Sequence, residues 1–161
     1  MAAVACSGAV SAAIDLRTRR VPNAATFGIA GVGVAFAACG VSGHSIGAAL
    51  AGLAIGFALM LPGHLFGATG AGDVKLLAAM GTLLGPAAIF HAFLYTAMAG
   101  GLLAAVVAVR RRRLGDTLDG VAALVRTRGA SADAITAPAR NNRFAYAPAI
   151  AVGTLLAALG V

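Results

Sequence analysis

Two aspartates stand apart from the other acidic residues of this chain, which has five Asp and no Glu among 161 residues. Asp15 closes an apolar run near the start, and Asp73 lies between a Gly-rich stretch and a second apolar run. The other three acidic residues are in a polar stretch among arginines, where charge is expected: Asp116, Asp119 and Asp133. A carboxylate at membrane depth costs about 2.5 to 3.5 kcal/mol on insertion scales, so Asp15 and Asp73 are candidate functional residues if the chain is embedded in a bilayer.

Two carboxylates that face each other suit peptide hydrolysis. One, ionised, takes a proton from the attacking water, and the other, protonated, donates a hydrogen bond to the oxygen on which negative charge develops. Such a pair shares one proton and titrates as a unit. Gly70 and Gly72 give the backbone at Asp73 room to turn and let a substrate strand approach. Lys75 either biases which carboxylate stays ionised or extends to lipid phosphate. From spacing alone, simple ion pairs of Asp15 with nearby arginines and of Asp73 with Lys75 explain the two acids equally well.

The composition indicates a polytopic membrane protein. Apolar residues make up 60% of the chain, charged residues only 11%, and the mean hydropathy is +0.93. A soluble globular chain is nearer half apolar and a quarter charged. The length suits one domain over residues 1–161. The net charge of +7 also fits a nucleic-acid binder, but basic residues in cytoplasmic loops explain it better, and a chain with no Trp and two Tyr has little surface for base stacking.

The apolar runs predict an all-α fold with about six transmembrane helices. Asn23 is expected to cap the second helix, and Pro62-Gly63 to kink or end the third. The runs are Ala2 to Ile14, Ala24 to about Val41, Ile46 to about Phe66, Val74 to a break at Gly85-Pro86, Ala87 to Val109, and Phe144 to Val161. A Gly52-x-x-x-Gly56 spacing predicts close packing of the third helix.

Six spans give a consistent topology. With the Arg17–Arg20 loop in the cytoplasm, all twelve basic residues lie on the cytoplasmic side and both termini lie outside. The polar loop at about residues 110–143 is then cytoplasmic. Within it, apolar residues recur at helical spacing and predict an amphipathic segment on the inner membrane surface: Leu114, Leu118, Val121, Ala122 and Val125. Asp15 and Asp73 are expected at the cytoplasmic edge, facing each other across the bundle.

Three motifs resemble those of the type IV prepilin peptidases, a family of G-x-G-D intramembrane aspartyl proteases. The run from Gly70 to Gly81, GAGDVKLLAAMG, resembles the family's G-x-G-D signature. Ile14-Asp15-Leu16-Arg17 with Val21-Pro22-Asn23 is similar to its first aspartate motif. Tyr146-Ala147-Pro148-Ala149-Ile150-Ala151 with Gly153 is similar to its last-helix pattern. The resemblance extends over essentially the whole chain.

The resemblance implies cleavage of prepilin-like precursors at the cytoplasmic face of the inner (plasma) membrane, just before the substrate's hydrophobic helix. It implies Asp15 and Asp73 as the catalytic pair, Gly70 and Gly72 as the motif glycines, and neither metal nor cofactor. The larger bifunctional members add a cysteine-containing cytosolic domain and N-methylation. This chain resembles the short, peptidase-only forms of Flp/Tad-type pili.

Two alternatives to a peptidase stay open at the level of sequence. One is a small proton- or cation-coupled transporter that uses Asp15 and Asp73 as its ion site, although hard cations prefer six or more oxygen ligands. The other is a catalytically inactive pilus-assembly protein of the same fold. Cleavage of a synthetic precursor separates the enzyme from both.

Overall fold

Five helices make up the described part of the protein, a computed structural model that describes residues 1–18, 22–66, 69–110 and 146–160. No strand occurs among these residues, so the predicted all-α fold is confirmed. The helices are α1 (Ala2–Thr18), α2 (Asn23–Ala38), α3 (Ile46–Leu65), α4 (Ala71–Arg110) and α5 (Ala147–Leu159). The predicted amphipathic segment and most of the polar loop lie outside the described residues.

Glycines let α3 lie directly against α4. A Cβ on Gly52 would overlap the backbone of Gly81, and one on Gly56 would come 2.8 Å from the carbonyl oxygen of Leu77. Only hydrogen at these Cα positions permits so close an approach of two helix backbones. The predicted close packing at Gly52 and Gly56 is confirmed. The buried core beside this contact is formed by α4 residues such as Leu76, Leu77 and Met80.

The long helix α4 reverses direction at Gly85, whose φ of 77° is in the left-handed region that favours glycine. A Cβ on Gly56 would contact both Ala78, before the break, and Ile89, after it. Residues 71–84 and 86–110 therefore fold back beside each other. The sequence predicted this break at Gly85-Pro86.

A histidine side chain lies beside a carbonyl oxygen that the break leaves without its helical donor. Pro86 has no N–H to donate to the carbonyl of Thr82, four residues earlier. His44, in the turn between α2 and α3, lies with Nε2 3.1 Å from that oxygen and Nδ1 3.2 Å from the carbonyl oxygen of Ser42. The imidazole thus joins the α2–α3 turn to the reversal of α4.

These contacts define two ends of the bundle. The turn end carries the α2–α3 turn at residues 40–45 and the α4 reversal at residues 82–86. The aspartate end carries Asp15, Asp73 and the first residues of α5. Along the first segment of α4, the two ends are separated by about 18 Å.

Two local expectations concern helix ends: the first is wrong, and of the second, that Pro62-Gly63 kinks or ends α3, only the ending is contradicted. Asn23 does not cap α2: Pro22 occupies the cap position without a side-chain hydrogen bond, and the Asn23 side chain instead accepts one from Lys75, 3.0 Å away. Pro62 does not end α3, which continues to Leu65. A proline near a helix end removes only one hydrogen bond, and the next turn still forms, with Phe66 N–H donating to the Pro62 carbonyl at 3.0 Å.

Among the residues that the structure describes, two helices are long and apolar enough to cross a membrane. They are Ile46–Leu65, with a mean hydropathy of 1.9, and Ala71–Val106, with a mean hydropathy of 1.7. Asn23–Ala38 and Ala147–Leu159 are shorter apolar helices. The expected six spans are not established by these lengths and stay a prediction.

Candidate active site

Asp15 is held by the first turn of α5. Buried residues recur along one face of α1 at Val4, Gly8, Ser11 and Asp15, and Gly8 packs against Ala151 of α5. This face brings Asp15, only 5% exposed, to the start of α5. There its Oδ2 accepts a hydrogen bond of 3.2 Å from the backbone N–H of Ala147.

The first turn of α5 has a single N–H free for this purpose. Pro148 has none, and the N–H groups of Ala149 and Ile150 both donate to the Tyr146 carbonyl, at 3.0 and 3.2 Å. The Ala147 N–H is left for Asp15. A helix N-terminus carries a partial positive charge, which makes it a favourable place for a carboxyl oxygen to accept a hydrogen bond.

Asp73 lies at the N-terminus of α4 and is 9% exposed. Its Oδ2 accepts a hydrogen bond of 3.0 Å from the N–H of Gly70, while its own N–H donates to the Gly70 carbonyl at 3.1 Å. This reciprocal pairing fixes the side chain against the glycine. A Cβ on Gly70 would lie only 3.0 Å from the same carboxylate oxygen, so a larger residue would push against Asp73.

Both carboxylates lie at the same end of the bundle. Asp15 accepts from the Ala147 N–H and lies eight positions before Asn23, and the Asn23 side chain accepts from Lys75, two positions after Asp73. The structure therefore brings the two sequence-predicted acids to one end of the bundle, and a backbone N–H donates to each of them.

Tyr146 is a site residue to which the sequence assigned no role. Its ring lies against Gly100 in the second segment of α4, where a Cβ would overlap the phenol. The signal that could have found it is its position directly before an Ala-Pro helix start. That position alone does not predict the contact of its ring with Gly100.

The remaining predicted site residues have other contacts. Lys75 is exposed, and its Nζ donates to the Asn23 side chain, which ties the starts of α2 and α4 together. Gly72 is half-buried beside Asp73. The three histidines each lie beside a backbone carbonyl: His44, His64 and His91.

The geometry suits proton transfer between acids and water. Two buried carboxylates at helix N-termini can carry the charge of an ionised acid more easily than in an apolar environment. Among the described residues, no three His, Cys, Asp or Glu side chains come close enough together to hold a metal ion.

Comparison with known families gives one match. A model of the type IV leader peptidase family matches residues 2–105, about two thirds of the chain, a range that includes Asp15, Gly70, Gly72 and Asp73. Comparison with the curated proteins and with the solved structures gives no match.

Proposed function

The chain belongs to the type IV leader peptidase family, and we propose that it is an aspartic endopeptidase in which Asp15 and Asp73 activate water. Its substrates are prepilin-like precursors, whose leader peptide it removes at the cytoplasmic face of the plasma membrane. The observation that carries the proposal is the placement of two buried carboxylates at the same end of the bundle, each accepting from a backbone N–H: Asp15 from Ala147 at 3.2 Å and Asp73 from Gly70 at 3.0 Å.

Hydrolysis by this pair needs one proton shared between two carboxyl groups. The ionised member takes a proton from water as the water oxygen attacks the scissile carbonyl carbon. The protonated member donates a hydrogen bond to the carbonyl oxygen as it becomes negatively charged. Collapse of the tetrahedral intermediate then breaks the C–N bond, and the departing nitrogen receives a proton from the pair. Partial burial supports this cycle because two like charges in such a site cannot both ionise easily.

The proposed topology has six crossing segments, with the two segments of α4 counted separately. The reversal at Gly85 supports the separate count. The aspartate end then faces the cytoplasm, both termini lie outside, and all twelve basic residues lie on the cytoplasmic side. A precursor would place its apolar helix against the bundle while its scissile bond reaches the aspartate end.

The test is cleavage of a synthetic prepilin-like precursor by the purified full chain in detergent, followed by mass measurement. We expect two fragments whose masses sum to that of the precursor plus one water. Asp15→Asn and Asp73→Asn should each reduce the rate at least about 1,000-fold, since each removes a member of one catalytic unit. Asp116→Asn, the same change in the polar loop, should cleave at the wild-type rate. Wild-type cleavage by either Asp15→Asn or Asp73→Asn would contradict the proposal.

A further inference from the structure

One peptide group joins His64, near the end of α3, to the carboxylate of Asp73. Its N–H, that of Gly70, donates to Asp73 Oδ2 at 3.0 Å. Its carbonyl oxygen, that of Thr69, lies 3.1 Å from Nδ1 of His64. Because a peptide group is planar and rigid, a displacement of its carbonyl edge also displaces its N–H edge. The position of the imidazole therefore affects the position of the hydrogen-bond donor to Asp73.

The last turn of α3 contacts both backbone groups of Thr69. The Thr69 N–H donates to the Gly63 carbonyl at 3.1 Å, and the Thr69 carbonyl faces the His64 ring. Carbonyls in the last turn of a helix lack an intrahelical donor, so the Thr69 N–H meets a need of the helix end. A Cβ on Gly63 would lie 3.2 Å from the Thr69 hydroxyl oxygen, so a methyl group there would press on Thr69.

We propose that His64 is a positioning residue of the aspartate pair: it fixes the Thr69–Gly70 peptide group, which in turn fixes the Asp73 carboxylate. The inference rests on the proposed function. A carbonyl oxygen only accepts hydrogen bonds, so in this arrangement Nδ1 carries the hydrogen and donates it to Thr69. His64 is exposed and Asp73 is buried, and the peptide group connects the two.

The freedom that His64 removes is rotation about the N–Cα bond of Gly70. The Gly70 carbonyl is already held by α4, because the Asp73 N–H donates to it at 3.1 Å. The preceding peptide group can still turn about the N–Cα bond, since glycine has no side chain to restrict it. Such a turn would move the Gly70 N–H away from Asp73 Oδ2. A small misplacement of a reacting group is enough to slow catalysis.

The experiment compares His64→Ala, His64→Asn and His64→Gln in the purified full chain, with precursor cleavage normalised to folded protein. In Asn the amide nitrogen is attached to Cγ, as Nδ1 is in histidine, whereas in Gln it is attached to Cδ, one bond further out. We expect kcat to fall about tenfold in the Ala and Gln variants, with KM changed less than about twofold. His64→Asn should recover kcat to within about twofold of the wild type, because it retains a donor at the place of Nδ1.

Two matched controls separate this role from general effects of substitution. His91→Ala removes another imidazole whose Nδ1 lies beside a backbone carbonyl, that of Ala87 at 3.2 Å, and it should match the wild type. Gly63→Ala should lower kcat because its methyl group displaces Thr69. Gly47→Ala, near the other end of α3, should cleave at the wild-type rate, since its Cβ would meet only the Ser45 hydroxyl oxygen at 3.7 Å.

The position of the peptide group can also be measured without a substrate. Hydrogen exchange of the Gly70 amide, followed by NMR of the full chain in detergent, should be about tenfold faster in His64→Ala than in the wild type. The same exchange rate should be unchanged in His91→Ala.

Three results would overturn the inference. They are a wild-type kcat in His64→Ala, a kcat in His64→Asn no higher than in His64→Gln, and an unchanged exchange rate of the Gly70 amide in His64→Ala. Failure of the proposed function gives a different pattern. The wild type itself then yields no fragments, or Asp15→Asn and Asp73→Asn cleave normally, while Gly70 exchange still distinguishes His64→Ala from the wild type.

Discussion

The two ends of the bundle differ in which backbone groups lack a helical hydrogen-bond partner. At the aspartate end, helix starts leave N–H groups without partners, and carboxylates accept from them: Gly70 to Asp73 and Ala147 to Asp15. At the turn end, Pro86 leaves the Thr82 carbonyl without its helical donor, and Nε2 of His44 lies 3.1 Å from that oxygen. Backbone N–H groups without partners favour neighbours that can carry negative charge. A carbonyl oxygen without a partner needs only an N–H donor held in place. Under the proposed function, the aspartate end carries the chemistry, and the turn end holds the fold.

The largest effect expected from this contrast is a separation of activity from stability at the aspartate end. Asn at position 15 or 73 retains an oxygen that can accept the backbone N–H, and it removes a buried charge. Both variants should lose cleavage while their thermal unfolding temperature in detergent stays equal to or above that of the wild type. A marked fall in that temperature would show that the carboxylates are structural, and the contrast between the ends would fail.

Substitution at the contact between α3 and α4, by contrast, should lower the stability of the protein. Gly52→Ala places a methyl group on the backbone of Gly81, where neither helix can yield without separating. We expect a loss of about 3 kcal/mol in the free energy of unfolding, at the upper end for overpacking. Gly47→Ala is the matched control in the same helix, because its Cβ would meet only the Ser45 hydroxyl oxygen at 3.7 Å. Equal unfolding free energies for the two variants would contradict the close contact.

A smaller loss of stability is expected at the turn end. His44→Ala removes the imidazole that lies between the Thr82 and Ser42 carbonyl oxygens, which should cost about 1 to 2 kcal/mol. Cleavage per folded molecule should stay at the wild-type level, since Gly85 and the aspartates are far apart along α4. His91→Ala is the control, because His91 is exposed and its ring lies beside only its own helix, at the Ala87 carbonyl. A cleavage defect in folded His44→Ala protein would mean that the turn end takes part in catalysis.

The smallest effect is expected one turn from Asp15. Ser11 is fully buried on the same face of α1, and among the described residues its hydroxyl has no hydrogen-bond partner. Ser11→Ala removes that hydroxyl and should leave stability unchanged or raise it by about 1 kcal/mol. Chemical denaturation of the two proteins under the same detergent conditions measures the difference. A loss of stability would indicate that the hydroxyl supports the Asp15 side of the pair.

The sequence predicted the fold class, the break at Gly85 and the family, because apolar periodicity, glycine with proline, and the Gly70–Gly81 run are local signals. The catalytic roles of Asp15 and Asp73 stay predictions, although both residues lie at the same end of the bundle. Two contacts could not be predicted from the sequence because they join residues that are distant along the chain. They are Asp15 with Ala147, 132 positions apart, and His44 with Thr82, 38 positions apart. The failed Asn23 cap has the same cause, since a lysine 52 positions away engages its side chain.

The bond between Asp15 and Ala147 also sets an order of events during synthesis. Asp15 leaves the ribosome early, whereas the backbone group that receives it is translated more than a hundred codons later. A nascent chain that already contains Asp73 therefore lacks the peptide group that orients the first acid. Under the proposed function, the pair is complete only after α5 has entered the bundle, so we expect unfinished chains in the membrane to be inactive.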